Sequence, residues 1–321
     1  MKKLTPKKLL ERKKQGYKAL DAHVHTNHSR DVADKETLSP EALYATAQER
    51  EMDFVTFTDH DDIQAHKTVL GDKHVRGVEL TVQDDFIGFE VHINIYDFTD
   101  KQYAQIQKKS RKVQQLLTYL HKHDLPHTYN HPFGFTAHDY SHVLTHPEEV
   151  YSKICWLAQR IKVLEINHSR APFLNDLVHP IAKKYGNTLI TGSDTHTGQI
   201  GVAYTLAKGD TFREWFSNVK RGEAILVEQM SCEEYFDTET TTYMDYALSP
   251  HKKRIQLETS NKIADFLIVL RTNNPRVAKL LGKVTKPIVL FATRRGIARA
   301  WYFNKQKKIA KKLSAVIEKN Q

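Results

Sequence analysis

Apolar and polar residues alternate strictly along Leu20-Asp21-Ala22-His23-Val24-His25. In an extended chain that puts Leu20, Ala22 and Val24 on one face and Asp21, His23 and His25 on the other. Six more short apolar or β-branched runs follow YKALDAHVHT (17–26): DFVTFTDHD (53–61), HVRGVELTV (74–82), FEVHINIYDF (89–98), LPHTYNHP (125–132), IKVLEINHS (161–169) and NTLITGSDTH (187–196). Between them lie stretches with helical spacing, namely SPEALYATAQERE (39–51), TDKQYAQIQKKSRKVQQLLTYLHKH (99–123), PEEVYSKICWLAQR (147–160) and APFLNDLVHPIAKKYG (171–186). Ser39 before Pro40 reads as a helix N-cap, and Gly186 as a helix stop. This alternation predicts an α/β protein with a parallel sheet and covering helices. A closed barrel is the better fit, because parallel barrels gather their chemistry at the carboxyl ends of the strands. Six of the seven runs end in His, Asp or Glu clusters, and the seventh carries Glu79 at mid-run.

After about residue 230 the pattern changes. EEYFDTETTTYMDYALSP (233–250) reads as a polar connection, and the rest as amphipathic helices rich in Lys and Arg. The expected organisation is a basic leader (1–17), the barrel (18–230) and a basic helical C-terminal region (231–321).

Charge sharpens this division. The net +10 of the 321-residue chain is unevenly spread: residues 242–321 carry 18 Lys and Arg against 4 Asp and Glu, and residues 21–241 carry 22 against 33. An acidic, histidine-rich body suits divalent cations, whereas basic tails suit phosphate polymers or anionic surfaces. Two cysteines, Cys155 and Cys232, give neither a disulfide framework nor a thiolate zinc site. The N-terminus lacks the apolar run of a secretory signal, and no stretch is long enough to span a bilayer, so a cytoplasmic location is expected.

His23 and His25, two apart on a strand, share a face and can bind one ion. Other strand runs supply His60 beside Asp59 and Asp61, then Glu79, His92, His131, Glu165, and Asp194 with His196. Converging carboxylates would repel one another without a cation, so these clusters together point to a divalent metal centre.

The ordered set HVH, TDH, GVE, VH, NHP and GSDTH resembles the polymerase and histidinol phosphatase (PHP) superfamily over roughly residues 18 to 225. The resemblance implies a distorted seven-stranded parallel (β/α)7 barrel of PHP type that holds two to three divalent ions, manganese, iron or zinc, for phosphoester hydrolysis. Carried over by position, it implies His23, His25, Glu79 and Asp194 around a first ion. Glu79 would bridge to a second ion held by His92 and His131. His60, His196 and Asp31 would hold a third, with His28 competing for the place of Asp31, since Arg30 stands where the family's aspartate usually falls.

Close cations acidify water for attack on phosphorus and screen the phosphate charge. Asp59, Asp61, His168 and His196 are candidates for protonating the leaving group, and Asp59 is also placed to orient the imidazole beside it. Arg30 and Arg170, with Lys67, are candidates for phosphate recognition or for surface ion pairs. Asn167 is expected to cap the following helix, and Tyr129 and Phe133 read as core aromatics.

The expected function is hydrolysis of a phosphomonoester or phosphodiester in a small phosphorylated metabolite or nucleotide. A nuclease acting on single strands is the alternative, with SPHKKRIQ, ATRRGIARAWYFNKQKKIAKK and the aromatics Trp301, Tyr302 and Phe303 contacting nucleic acid. A non-catalytic metal-binding scaffold is the third reading. A basic amphipathic helix could instead lie on an anionic membrane surface, or simply be a solvated face.

Overall fold

The computed structural model describes residues 1–32, 35–69, 71–136, 138–248, 291 and 297–320. Nine strands are present among them: β1 (Tyr17–Leu20), β2 (Val55–Phe57), β3 (His74–Val82), β4 (Val91–Tyr96), β5 (His127–Tyr129), β6 (Val163–Asn167), β7 (Thr188–Gly192), β8 (Ala203–Lys208) and β9 (Ile225–Glu228). The described helices are α1 (Pro6–Lys14), α2 (Pro40–Glu49), α3 (Ala65–Thr68), α4 (Asp100–Lys109), α5 (Val113–Lys122), α6 (Tyr140–Thr145), α7 (Pro147–Ala158), α8 (Pro172–Asn175), α9 (Val178–Tyr185), α10 (Phe212–Lys220), α11 (Cys232–Leu248) and α12 (Ile297–Lys319).

Strands β2 to β7 form one curled six-stranded sheet in sequential order, and β1, β8 and β9 form a separate antiparallel sheet in the order β1-β8-β9. The fold is therefore α/β, but the expected all-parallel seven-stranded sheet is replaced by six strands of mixed direction. Pairs β2–β3, β5–β6 and β6–β7 are parallel, whereas β4 runs antiparallel to both β3 and β5. The cause is connection length. Only residues 83–90 join β3 to β4, too few for a helical crossover, so the chain must turn back on itself. His92 consequently lies near the start of its strand, yet at the same end of the sheet as the carboxyl ends of its neighbours.

The first motif joins the two sheet edges. Past β1, residues 21–25 run extended between the ends of β7 and β2. Asp194 N–H donates to the His23 carbonyl (2.8 Å), His25 N–H to the Thr195 carbonyl (3.2 Å), and Thr58 N–H to the Val24 carbonyl (2.7 Å). The alternation read from sequence is present here with both faces buried: Leu20, Ala22 and Val24 enter apolar clusters, and Asp21, His23 and His25 are 2% exposed or less. Asp21 plays a different part from the two histidines. It accepts the N–H groups of Ser193 (2.8 Å) and Gly201 (2.7 Å) and so anchors the β7 loop.

Local signals explain most helix boundaries. Ser39 caps α2 by accepting the Ala42 N–H, with Pro40 in the first turn, and Gly186 ends α9 in the left-handed region at φ 67°. The single long helix expected over 99–123 is two, α4 and α5, separated at Ser110–Lys112. EEYFDTETTTYMDYALSP, expected as a connection, mostly lies in α11. Helix α12 carries Ile309, Ala310, Leu313, Val316 and Ile317 into the main apolar cluster, with β3, β4, α5, α7 and α9, so part of the basic C-terminal region is core. Phe303, expected as a stacking face for bases, packs on Phe173 and Phe236 at ring distances of 5.9 and 5.5 Å. The stretch SPHKKRIQ, residues 292–296 of the second basic stretch and the side chains of Trp301 and Tyr302 lie outside the described residues. No described helix is long and apolar enough to cross a membrane.

Gly192 carries the closest approach in this arrangement, since a Cβ there would stand 2.5 Å from the His23 backbone nitrogen and 2.6 Å from its Cβ. Gly192→Ala is expected to lower unfolding free energy by about 1–3 kcal/mol, the usual penalty of overpacking. Urea denaturation checks this, and an unchanged midpoint would contradict the close packing of the first motif on β7.

Candidate metal centre

Glu79, 1% exposed in the middle of β3, is surrounded by five imidazoles. Its Oε2 lies 3.1 Å from His23 Nε2, 3.3 Å from His25 Nε2 and 3.3 Å from His60 Nδ1. Its Oε1 lies 3.1 Å from His92 Nδ1 and 3.3 Å from His131 Nε2, and accepts a hydrogen bond from Asn130 Nδ2 (2.8 Å). Two further carboxylates complete the cluster. Asp194 Oδ1 is 3.2 Å from His25 Nε2 and 3.4 Å from His23 Nε2, while Asp31 Oδ2 is 2.8 Å from His196 Nε2 and 3.2 Å from His60 Nε2. His131 and Asp194 occupy positive φ, at 27° and 54°, a strained backbone that the surrounding contacts must hold in place.

Three sets of donor atoms lie within mutual reach of one ion: His23, His25 and Asp194; His60, Glu79 and His92; and His25, Asp31, His60 and His196. Asp31, not His28, is the residue brought into the third set. His131 reaches Glu79 without entering any of these sets.

The residues around the ligand-type nitrogens decide whether an ion fits. Glu165 Oε1 holds His23 Nδ1 (2.9 Å), the Asp194 carbonyl takes His196 Nδ1 (3.0 Å), and Glu90 Oε1 takes His92 Nε2 (2.9 Å). Ser29 Oγ meets His25 Nδ1 (3.3 Å) and donates to Asp31 (2.7 Å). Each outer nitrogen thereby has an acceptor for its proton, so that loss of the inner proton would leave each inner nitrogen as a metal ligand. The buried Nδ1 atoms of His60 and His92 face Glu79 without a well-directed hydrogen bond, and His23 Nε2 faces His25 Nε2 at 3.1 Å. Buried imidazole nitrogens and carboxylate oxygens converging in this way fit divalent cations.

Without an ion, protons must take over the charge balance. Burial opposes ionisation of Glu79, but His23, His92 and His60 hold it well below the usual carboxylate range. Burial likewise opposes ionisation of Asp31, which His196 and His60 hold well below that range. His92 and His196 respond in the opposite sense. Burial works against their charged forms, yet Glu79 and Glu90 raise His92 to about 10, and Asp31 and Asp194 raise His196 to about 10.

The remaining sequence candidates lie around these sets. Asp59 accepts the N–H (2.6 Å) and hydroxyl (2.7 Å) of Thr26, fixing the turn after the first motif. His168 is buried beside Tyr235 at a ring distance of 5.2 Å, outside all three sets, and burial depresses its pKa to about 4. Arg30 donates to Asp61 (3.1 Å) and Thr81 (3.2 Å), which commits Asp61 to that pair. Arg170 lies 3.7 Å from Asp194 Oδ2. Lys67 lines a separate groove with Asp62, Gln64 and Tyr103. Asn167, expected as a helix cap, instead bridges Glu165 (3.0 Å) and Asp194 (3.2 Å) through its amide nitrogen. Tyr129 and Phe133 are core residues.

Glu90, Ser29, Asn130 and Glu239 also contribute, and strand-end position does not identify them. Glu90 stands two residues before His92, a spacing that could have been noticed. Glu239 sits on α11 and accepts hydrogen bonds from Thr195 and Thr197, with no signal in its surrounding sequence.

Ligation needs neutral imidazole, so histidines titrating near 10 must lose protons when an ion binds. At pH 7.5 manganese binding to metal-free protein is expected to release protons, seen as a dependence of the calorimetric heat on buffer ionisation enthalpy. Binding with no such dependence would contradict the charge balance described here.

No known protein-family model matches the chain, and no curated protein does. Among solved structures, neighbours include PsfC from Pseudomonas syringae (TM-score 0.48, 12% identity, 72% of this chain and 98% of that one). They also include the lesion-specific endonuclease PfuEndoQ from Pyrococcus furiosus (TM-score 0.46, 16% identity, 65% of this chain and 57% of that one). A third, from Bifidobacterium adolescentis, is described as a putative metal-dependent phosphoesterase (TM-score 0.39, 15% identity, 62% of this chain and 95% of that one). The chain spans little more than half the length of the Pyrococcus enzyme.

Proposed function

We propose that this chain is a PHP-type, metal-dependent phosphoric ester hydrolase whose barrel covers residues 18–230 and whose ions are held by His23, His25, Asp31, His60, Glu79, His92, His131, Asp194 and His196. The observation that carries the reading is the burial of Glu79 among five imidazoles, with Asp31 and Asp194 beside it. Divalent ions bound there would acidify water at neutral pH and neutralise phosphate charge.

The chain's own residues supply the rest. Glu79 belongs to the set with His60 and His92, and its Oε2 also faces His23 and His25, so it would link that set to the first. Glu165, Ser29 and Glu90 set the tautomers of His23, His25 and His92. Asp59 takes a supporting role through Thr26. Arg30 and Arg170, with side chains 30% and 24% exposed, stand at the rim, where a guanidinium fork can hold phosphate oxygens. His196, its side chain 18% exposed, is accessible from solvent and also reaches the third set. His168, buried with a depressed pKa, is a neutral base rather than an acid near pH 7.

The preferred substrate class is a small phosphorylated metabolite or nucleotide. The excess of Lys and Arg in residues 242–321 favours a nuclease as the second reading.

Purified protein with manganese, offered p-nitrophenyl phosphate, bis(p-nitrophenyl) phosphate and a labelled single-stranded oligonucleotide, tests both. Turnover of at least one substrate, abolished by a chelator, is expected. Cleavage of the oligonucleotide alone would favour the nuclease, and no turnover of any would leave only a scaffold. Glu79→Gln keeps the shape and removes the charge, so kcat/KM is expected to fall by about 100-fold or more. An activity equal to wild type would refute the assignment.

A further inference from the structure

We propose that Glu239 is a positioning residue through which the C-terminal helices complete the third donor set, so that one ion position depends on α11 while the other two depend on the barrel alone. The inference rests on the metal-centre reading above and deepens it.

Its basis is a chain of contacts. Glu239 Oε1 accepts the Thr195 hydroxyl (2.9 Å) and the Thr197 hydroxyl, and Oε2 accepts the His196 N–H (3.4 Å). Thr195 Oγ1 in turn accepts the N–H groups of Gln199 (2.8 Å) and Thr197 (3.3 Å), so one carboxylate organises the whole turn around His196. On the other side of that turn, His196 Nδ1 is held by the Asp194 carbonyl and Nε2 faces Asp31. Imidazole direction is thus set partly from the barrel and partly from α11.

Helix α11 is itself tied down. Asp237 pairs with Arg299 of α12 at 2.9 Å, Phe236 packs on Phe303, and Tyr235 is 1% exposed. Helix α12 is anchored in the main core by its apolar face. A route of packed side chains therefore runs from the core through α12 and α11 to His196. Among the three donor sets, only the third contains His196, and the other two draw every ligand from residues 23–194.

The test is manganese titration of metal-free protein by calorimetry, with bound metal counted by elemental analysis, for wild type, Glu239→Ala, Glu239→Gln and Glu234→Ala. In E239A one bound ion is expected to lose about 10–100-fold in affinity, the effect usual for removing a group that orients a ligand, with the others within about twofold. In E239Q the amide oxygen still accepts the threonine hydroxyls, but its NH2 opposes the His196 N–H, so an intermediate loss is expected. Glu234 accepts the N–H and hydroxyl of Ser231 at the start of α11 and touches no donor set, so E234A should bind all ions as wild type does. If E239A does not fold, as judged by circular dichroism, the near-isosteric E239Q carries the test. Unchanged binding in the variants, equal loss of all ions, or the same loss in E234A would overturn the inference while leaving the metal centre intact. A wild-type protein that binds no divalent ion would overturn the metal-centre reading and this inference with it.

Discussion

Everything at the carboxyl end of this sheet depends on one electrostatic constraint: Glu79 is buried with Asp31 and Asp194 close by, and nothing in a low-dielectric interior tolerates that charge uncompensated. Protons on the surrounding histidines or bound cations can compensate it. The outer nitrogens of four histidines are already engaged by Glu165, Ser29, Glu90 and a backbone carbonyl, so a cation that displaced the inner protons would meet oriented imidazoles.

The geometry is held by the segment after β1. Backbone hydrogen bonds from residues 23–25 to the ends of β7 and β2 fix its register, and a shift of one residue would turn His23 and His25 away and bring Ala22 and Val24 inward. Gly192 permits the close approach, and Asp21, through Ser193 and Gly201, ties the same loop that presents Asp194 and His196. Packing, register and chemistry therefore share the same few residues. Substitutions here should alter stability and ligand geometry together.

Most of the donor residues were legible in the sequence because strand periodicity and strand-end position are local properties. The direction of β4 was not, because it follows from the length of a connection, and His92 was found for a reason that the reversed strand does not obey. Asp31 and Arg30 could not be distinguished from their neighbours by spacing. The structure separates them through Ser29, which binds Asp31, and through Asp61, which draws Arg30 aside. Glu239 was invisible because its contacts come from 43 residues away in a polar segment whose helix gains its meaning only from tertiary packing.

The most direct measurement is anomalous X-ray diffraction from crystals of the protein grown with manganese, collected at the manganese edge. Peaks beside the Glu79 carboxylate, one within ligand distance of His23, His25 and Asp194 and another within ligand distance of His60 and His92, are the predicted result. A well-ordered centre with no anomalous density, or density only away from Glu79, would contradict the account.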